Sequence, residues 1–452
     1  MLSIPDFPTE ALPLLLEFAP IFTRPTFQRF QLLLVAAILT TGRRTVSNLL
    51  RTVRTLAPGA PSSYHRVLSQ ARWSGLRLTA ILARFVLRHF WPHGRIRVIG
   101  DDTVDEHRGK KVHGKARHRD PVRSSHSYTA YRYGHKWVVL AVLVQFPFAS
   151  RPWALPLLTA LYRSKEDNRR RGRPHKTPAE LMRLLLRVLL RWFPDRQFVF
   201  AGDTGFGNHE LAEFASRQGG RLTLVSRFYP DAQLFELPPV VTGKRPAHRP
   251  RKKGAKLPSP QQGVTLYETH LALVRWYGGS WRDVAYVTGV GHWYRSGAGL
   301  VAVRWVYVHD LTGTHRDDYL YSTDPEMSAE QIIEEYTGRW NIETMFEEMR
   351  SYLGLETTRG WCPNTVQRAA PCLFGLYGVV ALLYWGLRER GLCVGQVHWA
   401  RKQVVTFSDA ITAVRRWLWA EWVFARVDHD QAFAKLPDAL KEVLLYALAP
   451  AA

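Results

Sequence analysis

The sequence predicts an α/β fold with helices at both ends, on three observations. Two short β-type runs, Arg95–Gly100 and Gln197–Ala201, each stop abruptly at an aspartate, in Asp101-Asp102-Thr103 and in Gly202-Asp203. Between them the apolar period switches from two to three or four residues and back. A late helical run opening at Ser328 carries a tyrosine, two arginines and a glutamate on one stripe. The chain has 452 residues, 46% hydrophobic and 22% charged. That is enough for two or three domains with a large core, and it excludes wholesale disorder.

The charge is far from balanced. Sixty-two Lys and Arg stand against 38 Asp and Glu, a net +24, and 49 of the cations are Arg against 13 Lys. The arginine fork suits bidentate phosphate contacts, so the excess points to nucleic acid, although a ribosomal or membrane-surface chain can be as basic. Three cysteines (Cys362, Cys372, Cys393) without a C-x-x-C pair exclude a disulfide framework and imply a reducing, cytoplasmic setting. The opening MLSIPDFPTEALPLLLEF is acidic where a signal peptide is basic. The longest apolar runs, such as Leu32–Ile38 and Gly375–Leu383, fall short of the roughly 20 residues of a membrane span, so no membrane partner is expected.

Taken in order, residues 1–92 read as a helical domain: apolar positions recur at helical spacing through Phe27–Leu39, Val46–Leu56 and Leu76–Trp91, with a turn at Pro58–Ser63. Interleaved Arg43, Arg44, Arg51 and Arg54 suit a DNA-binding domain, and a basic bundle of no specific function fits the same pattern. Residues 93–215 form the first part of the core. After Arg95–Gly100, Tyr128–Tyr133 and Trp137–Phe146 read as two strands joined by a Gly134-His135 turn. A basic stretch, Arg169–Lys176, leads to a helix from Pro178 to Trp192, and the strand Gln197–Ala201 follows. Residues 216–312 are β-rich, with runs at Leu222–Arg227, Val264–Arg275, Trp281–Thr288 and Leu300–His309 around a Pro/Lys/Arg linker, Lys244–Pro260. Residues 313–365 carry the glutamate helix, and 366–452 read as C-terminal helices; the chain has no internal repeat.

Ser328 and Gln331 make an S-x-x-Q capping box, and Gly354 is a natural stop for the helix that follows. Tyr336, Arg339, Glu343 and Arg350 fall within about 60° of one another at about 100° per residue. Such a stripe is wrong for a core face and suits a site, although a solvated face can show it.

The spacing Tyr336-x2-Arg339-x3-Glu343-x6-Arg350 resembles the Y-R-E-K signature of bacterial insertion-sequence DDE transposases, with Arg350 in the place of the usual Lys. GDDTV at 100–104 and FAGDTGFGNHEL at 200–211 are similar to the first and second Asp blocks of that family, and FAPIFTRPTFQRFQLLLVAAILTTGRRTVSNLLR resembles the leader helices of one branch. The resemblance implies an RNase H-like catalytic core interrupted by a β-rich insertion domain, with an N-terminal helical domain and C-terminal helices. It implies Asp101, Asp203 and Glu343 as catalytic residues that hold two Mg²⁺ (or Mn²⁺) ions, with Tyr336, Arg339 and Arg350 on DNA. The expected partners are double-stranded DNA, both transposon ends and target, with a homodimer formed on DNA. The expected reaction is cleavage at the ends and joining of 3′-OH ends to target; the alternatives are a catalytically retired DNA-binding relative or a nuclease without strand transfer. Three crowded carboxylates demand such cations for neutralisation, and oxygen-only ligands suit these ions.

Asp102 remains the alternative first carboxylate, since strand alternation points it and Asp101 to opposite faces, and the D-x-T pattern favours Asp101. Asp105 and Glu106 lie close by, ahead of a basic Gly-rich loop. Smaller signals have plain readings beside the sharp ones. Arg171-Gly172-Arg173-Pro174 matches an AT-hook core or is a basic loop. Trp276, Trp281, Trp293 and Trp305 are mostly sheet core, with stacking on an unpaired base the alternative for any of them. The 17 histidines show no metal-ligand spacing.

Overall fold

The computed structural model describes residues 12–120, 123–239, 251–392, 402, 404–427 and 431–450. Cys393 and residues 244–250 of the linker lie outside the described residues. Among these residues eleven strands form one sheet: β1 (Ile96–Glu106), β2 (Ala116–Arg119), β3 (Tyr131–Val144), β4 (Trp153–Tyr162), β5 (Phe198–Gly202), β6 (Leu222–Arg227), β7 (Leu234–Phe235), β8 (His270–Arg275), β9 (Trp281–Arg295), β10 (Gly299–Asp310) and β11 (Asp318–Ser322).

The core of the sheet has the predicted RNase H-like arrangement. β3 pairs antiparallel with β1 and β4 antiparallel with β3, while β5 and β6 continue parallel to β1 on the other side. Helices cover both faces. Gly100 turns to one face, where a Cβ would lie 2.4 Å from the end of the Met182 side chain on the helix Pro178–Trp192 and 2.6 Å from the Phe200 ring, so the glycine lets both pack closely there. On the other face Trp137 packs edge-on against Phe374 of the long helix Pro363–Glu389, ring centroids 6.3 Å apart. Helices at Arg24–Leu39, Val46–Thr52 and Gly75–Phe90 form the N-terminal part as the periodicity predicts, and a further helix, Pro61–Ser69, begins inside the expected turn.

Several expectations need correction. The two strands expected around Gly134-His135 are one fourteen-residue strand, β3. Gly134 serves close packing there: a Cβ would meet the Asp105 carbonyl oxygen at 1.8 Å. The third core strand is β4, whose near-continuous apolar face hides a period of two. β6, assigned by sequence to the insertion, pairs in parallel with β5 and belongs to the core. The insertion also extends the core sheet, because β11 pairs antiparallel with β6 and carries β10 and β9 outward. Val264–Arg275 splits into a short helix, Pro260–Leu266, and β8. β11 itself falls after Asp310, where only helix was expected.

The helix Pro363–Glu389 is, by length and composition, apolar enough to cross a bilayer, longer than the runs visible in the sequence suggest. Protein covers it instead, since 72% of its apolar window is buried within the fold. Of the four insertion tryptophans, Trp276, Trp293 and Trp305 are core, and Trp281 is 55% exposed beneath the Arg275 guanidinium.

Candidate active site

β1 and β5 pair in parallel from Ile96↔Phe198 to Gly100↔Gly202, and there the pairing ends. Asp101 and Asp203 are the next residue on each strand, which is why two aspartates 102 positions apart arrive side by side. Antiparallel pairing with β3 continues past that point, so Asp101 sits within β1, opposite Val139, rather than at its end. Asp203 caps a short 3-10 turn, and its carboxylate accepts from the Phe206 amide at 3.2 Å.

The Ser328–Gln331 capping box forms as read, and Gly354 ends the run in the left-handed conformation. The run between them is two helices, Ala329–Gly338 and Asn341–Leu353. Arg339 and Trp340 keep right-handed helical dihedrals, but their amides bond three residues back, to Tyr336 and Thr337, which tightens the turn into a kink. Arg339 and Glu343 still share one side, the arginine donating to the glutamate at 3.0 Å.

Both helices are tied to the sheet. Arg97 of β1 holds Glu335 at 2.8 Å, and Thr337 donates to the Arg275 carbonyl at the end of β8 at 3.1 Å. Arg151 holds Glu348 at 2.8 Å, and Tyr377 of the long helix donates to the same carboxylate at 2.7 Å. At the far end the Tyr352 carbonyl accepts from Arg415 at 2.9 Å and from Arg44, cations where the helix dipole is negative.

These anchors bring Arg339 to the aspartates. Its guanidinium donates to Asp101 Oδ2 at 2.9 Å and to Glu343 Oε1 at 3.0 Å, joining residues 238 apart in sequence. Burial opposes the arginine's charge, but Asp101, Tyr336, Glu343 and Asp203 together hold it more firmly protonated than a free arginine. Burial pushes the Asp101 carboxyl up to about 7, with Asp203 and Asp102 adding to the rise and Arg339 and the Asp102 amide opposing it. Asp102 turns to the other face and pairs with Lys136 at 2.9 Å. Of the two adjacent aspartates, Asp101 is the one that shares a partner with Glu343.

Tyr336 is buried, its ring 5.8 Å from both the Arg339 and the Arg227 guanidinium carbons, and burial raises its hydroxyl pKa. Arg350 reaches Thr103, two residues beyond Asp101 on the same face of β1, and pairs with Glu356 at 3.3 Å. So the stripe meets β1 along its length: Arg339 at Asp101 and Arg350 at Thr103. Sequence reasoning missed the Asp101–Arg339–Glu343 bridge; the i, i+4 spacing of Arg339 and Glu343 was a signal for half of it.

A family model described as DDE superfamily endonuclease matches residues 17–285, more than half of the chain, a span that holds Asp101 and Asp203. A second, described as archaeal putative transposase ISC1217, matches residues 301–361, which hold Glu343. No curated protein matches. A solved structure described as the cryo-EM structure of the piggyBac transposase synaptic complex with hairpin DNA is similar at 10% identity. The match covers 95% of this chain and 77% of that chain, with a TM-score of 0.40.

Proposed function

The chain belongs to the DDE superfamily endonucleases, and we propose that it is a transposase that binds double-stranded DNA at the ends of its element, cleaves them and joins the 3′-OH ends to target DNA. The observation that carries the reading is the meeting of Asp101 and Glu343 on one guanidinium beside Asp203.

The donor set fits the divalent ions this chemistry uses. It is oxygen only, and the Arg339 guanidinium bridges two of the three carboxylates, so their charge is already partly offset. Asp101, Asp203 and Glu343 would hold two Mg²⁺ or Mn²⁺ ions. When bound, such ions lower the pKa of the attacking water or hydroxyl and stabilise the leaving oxygen. The chain's own residues prepare that place. The Asp102 amide fixes the Asp101 carboxyl at 2.7 Å, and the Phe206 amide fixes that of Asp203. Arg339 sets the Glu343 carboxylate on the Asp101 side of its helix.

Arg350 is half-buried, with N–H groups left for a phosphate beyond its contacts to Thr103 and Glu356. Exposed aromatics lie beneath further cations, with Lys111 5.9 Å from the Trp361 ring and Arg117 4.1 Å from Tyr131. Such pairs suit unpaired or distorted DNA. Pairing of two ends makes a homodimer on DNA part of the proposal.

The test is a supercoiled-plasmid assay with the matching element ends and Mg²⁺. Joined products support the transposase, and cut products alone identify a nuclease without strand transfer. Binding without either identifies a retired DNA-binding relative. For Arg350→Ala, end binding measured across a salt series should weaken and lose about one unit of slope in log affinity against log salt. An unchanged slope removes Arg350 from the phosphate contacts.

A further inference from the structure

Along the face of β1 that presents Asp101 and Thr103, the next side chain is Asp105, directly opposite His135 on β3. Asp105 is fully buried, at 0% exposure, and its ion-pair partners among the described residues are two histidines, with neither Lys nor Arg. A buried carboxylate without a cation is costly. Asp105 Oδ1 accepts from the His135 amide at 2.9 Å, and Oδ2 from the Trp137 indole N–H at 3.2 Å. His107 Nε2 lies 3.2 Å from Oδ2, and the two imidazole rings meet edge to face, centroids 4.7 Å apart.

The tautomer of His135 is fixed by its other nitrogen. Nε2 lies 2.8 Å from the His113 carbonyl oxygen, which can only accept, so Nε2 carries the proton. Its other ring nitrogen, Nδ1, lies 3.7 Å from Asp105 Oδ1, too far for a hydrogen bond between them.

We propose that Asp105, His107 and His135 bind one divalent transition-metal ion of the zinc class, at a site separate from Asp101, Asp203 and Glu343. Among the described residues they are the one group of three or more such side chains whose ligand atoms all lie within 4.8 Å of one another. Tetrahedral bonds of about 2.1 Å put neighbouring ligand atoms about 3.4 Å apart; His107 Nε2 lies 3.2 Å from Asp105 Oδ2 and His135 Nδ1 lies 3.7 Å from Asp105 Oδ1, so each carboxylate oxygen has one imidazole nitrogen near that spacing. Two imidazoles and one carboxylate are a borderline nitrogen and oxygen set that suits Zn²⁺ rather than Mg²⁺. The His135 N–H on a backbone carbonyl is the outer contact that orients metal-bound histidines, and a water would complete four-coordination. The ion neutralises Asp105 and ties β1 to β3 four residues from Asp101, so it supports the carboxylate site without taking part in it. The ligands come from the end of β1, the residue just beyond it and β3, so the two histidines are 28 positions apart and their spacing did not reveal them.

The test uses the full chain, stripped with a chelator and titrated with Zn²⁺ against a chromophoric competitor, with metal content measured by mass spectrometry. Wild type and Glu343→Gln should each bind one equivalent tightly. His107→Ala and His135→Gln should bind at least about 100-fold more weakly. Zinc should raise the Tm of wild type and leave that of His107→Ala unmoved. His107 lies just beyond the end of β1, so its variant remains informative if His135→Gln fails to fold. No binding by wild type at micromolar free zinc, or wild-type affinity in His107→Ala, overturns the proposal. Loss of the tight equivalent in Glu343→Gln would place the ion at the other carboxylates and overturn it equally.

Discussion

Glu343→Gln should lose cleavage and joining by at least about 1000-fold, the several kcal/mol that divalent ions contribute to a phosphoryl transition state, while end binding stays near normal or tightens slightly. The substitution keeps an oxygen for Arg339, which now donates to Glu343 Oε1 at 3.0 Å, so the local shape should survive. It also removes a negative charge beside DNA and costs no phosphate contact. Asp101→Asn and Asp203→Asn should behave alike. Asp102→Asn loses only the Lys136 pair on the opposite face and should still cut. Cleavage and binding are measured side by side on the same ends, after circular dichroism shows each variant folded. Normal cutting by Glu343→Gln ends the mechanism, and loss of cutting in Asp102→Asn with retention in Asp101→Asn exchanges the two aspartates.

The candidate site was legible because its parts leave local marks. A β-type run that reaches an aspartate and a polar stripe from Tyr336 to Arg350 are each visible in a short stretch of sequence, although β1 runs on past Asp101 to Glu106, and the capping box at Ser328 marks where the helix opens. What could not be read is what depends on neighbours distant in sequence. Gly134 carries the local signature of a turn, and only the approach of the Asp105 carbonyl from β1 explains it as a strand residue. β6 has the same composition as the insertion strands that follow it, and only its parallel pairing with β5 assigns it to the core. The glutamate helix was read as continuous because the capping box at Ser328 and the stop at Gly354 mark only its ends; the break falls where Arg97 and the Arg275 carbonyl hold the end of the first half and Arg339 meets Asp101. Arg339 was read as a DNA contact from the resemblance together with its charge and its face. Its structural partners are the two carboxylates, a pairing that needs the three-dimensional meeting of β1 and the helix.

That pairing sets the second large effect, on stability. Arg339→Ala leaves Asp101 and Glu343 without their shared cation, and Asp203 close by. Breaking a fully buried pair costs about 3–5 kcal/mol; Glu343 is 36% exposed, so solvent screens part of the loss, and about 2–3 kcal/mol is expected here. The pH dependence has a definite sign. The Asp101 carboxyl in the folded protein is raised to about 7 from its unfolded value near 3.8. Such a group contributes stability that is present below the unfolded value and is lost as pH rises through the folded one. Removing Arg339 raises the folded value further, so the deficit of Arg339→Ala should be largest at pH 8 and shrink as the pH falls towards 5. Urea denaturation of chelator-treated protein at both values measures it. Adding Asp101→Asn removes the charge that Arg339 neutralises and should recover most of the loss at pH 8, a coupling that the double-mutant cycle isolates. Independent, additive losses, or a deficit unchanged between pH 5 and pH 8, would mean that Arg339 stabilises the chain by packing against Tyr336 and that its charge is free for DNA.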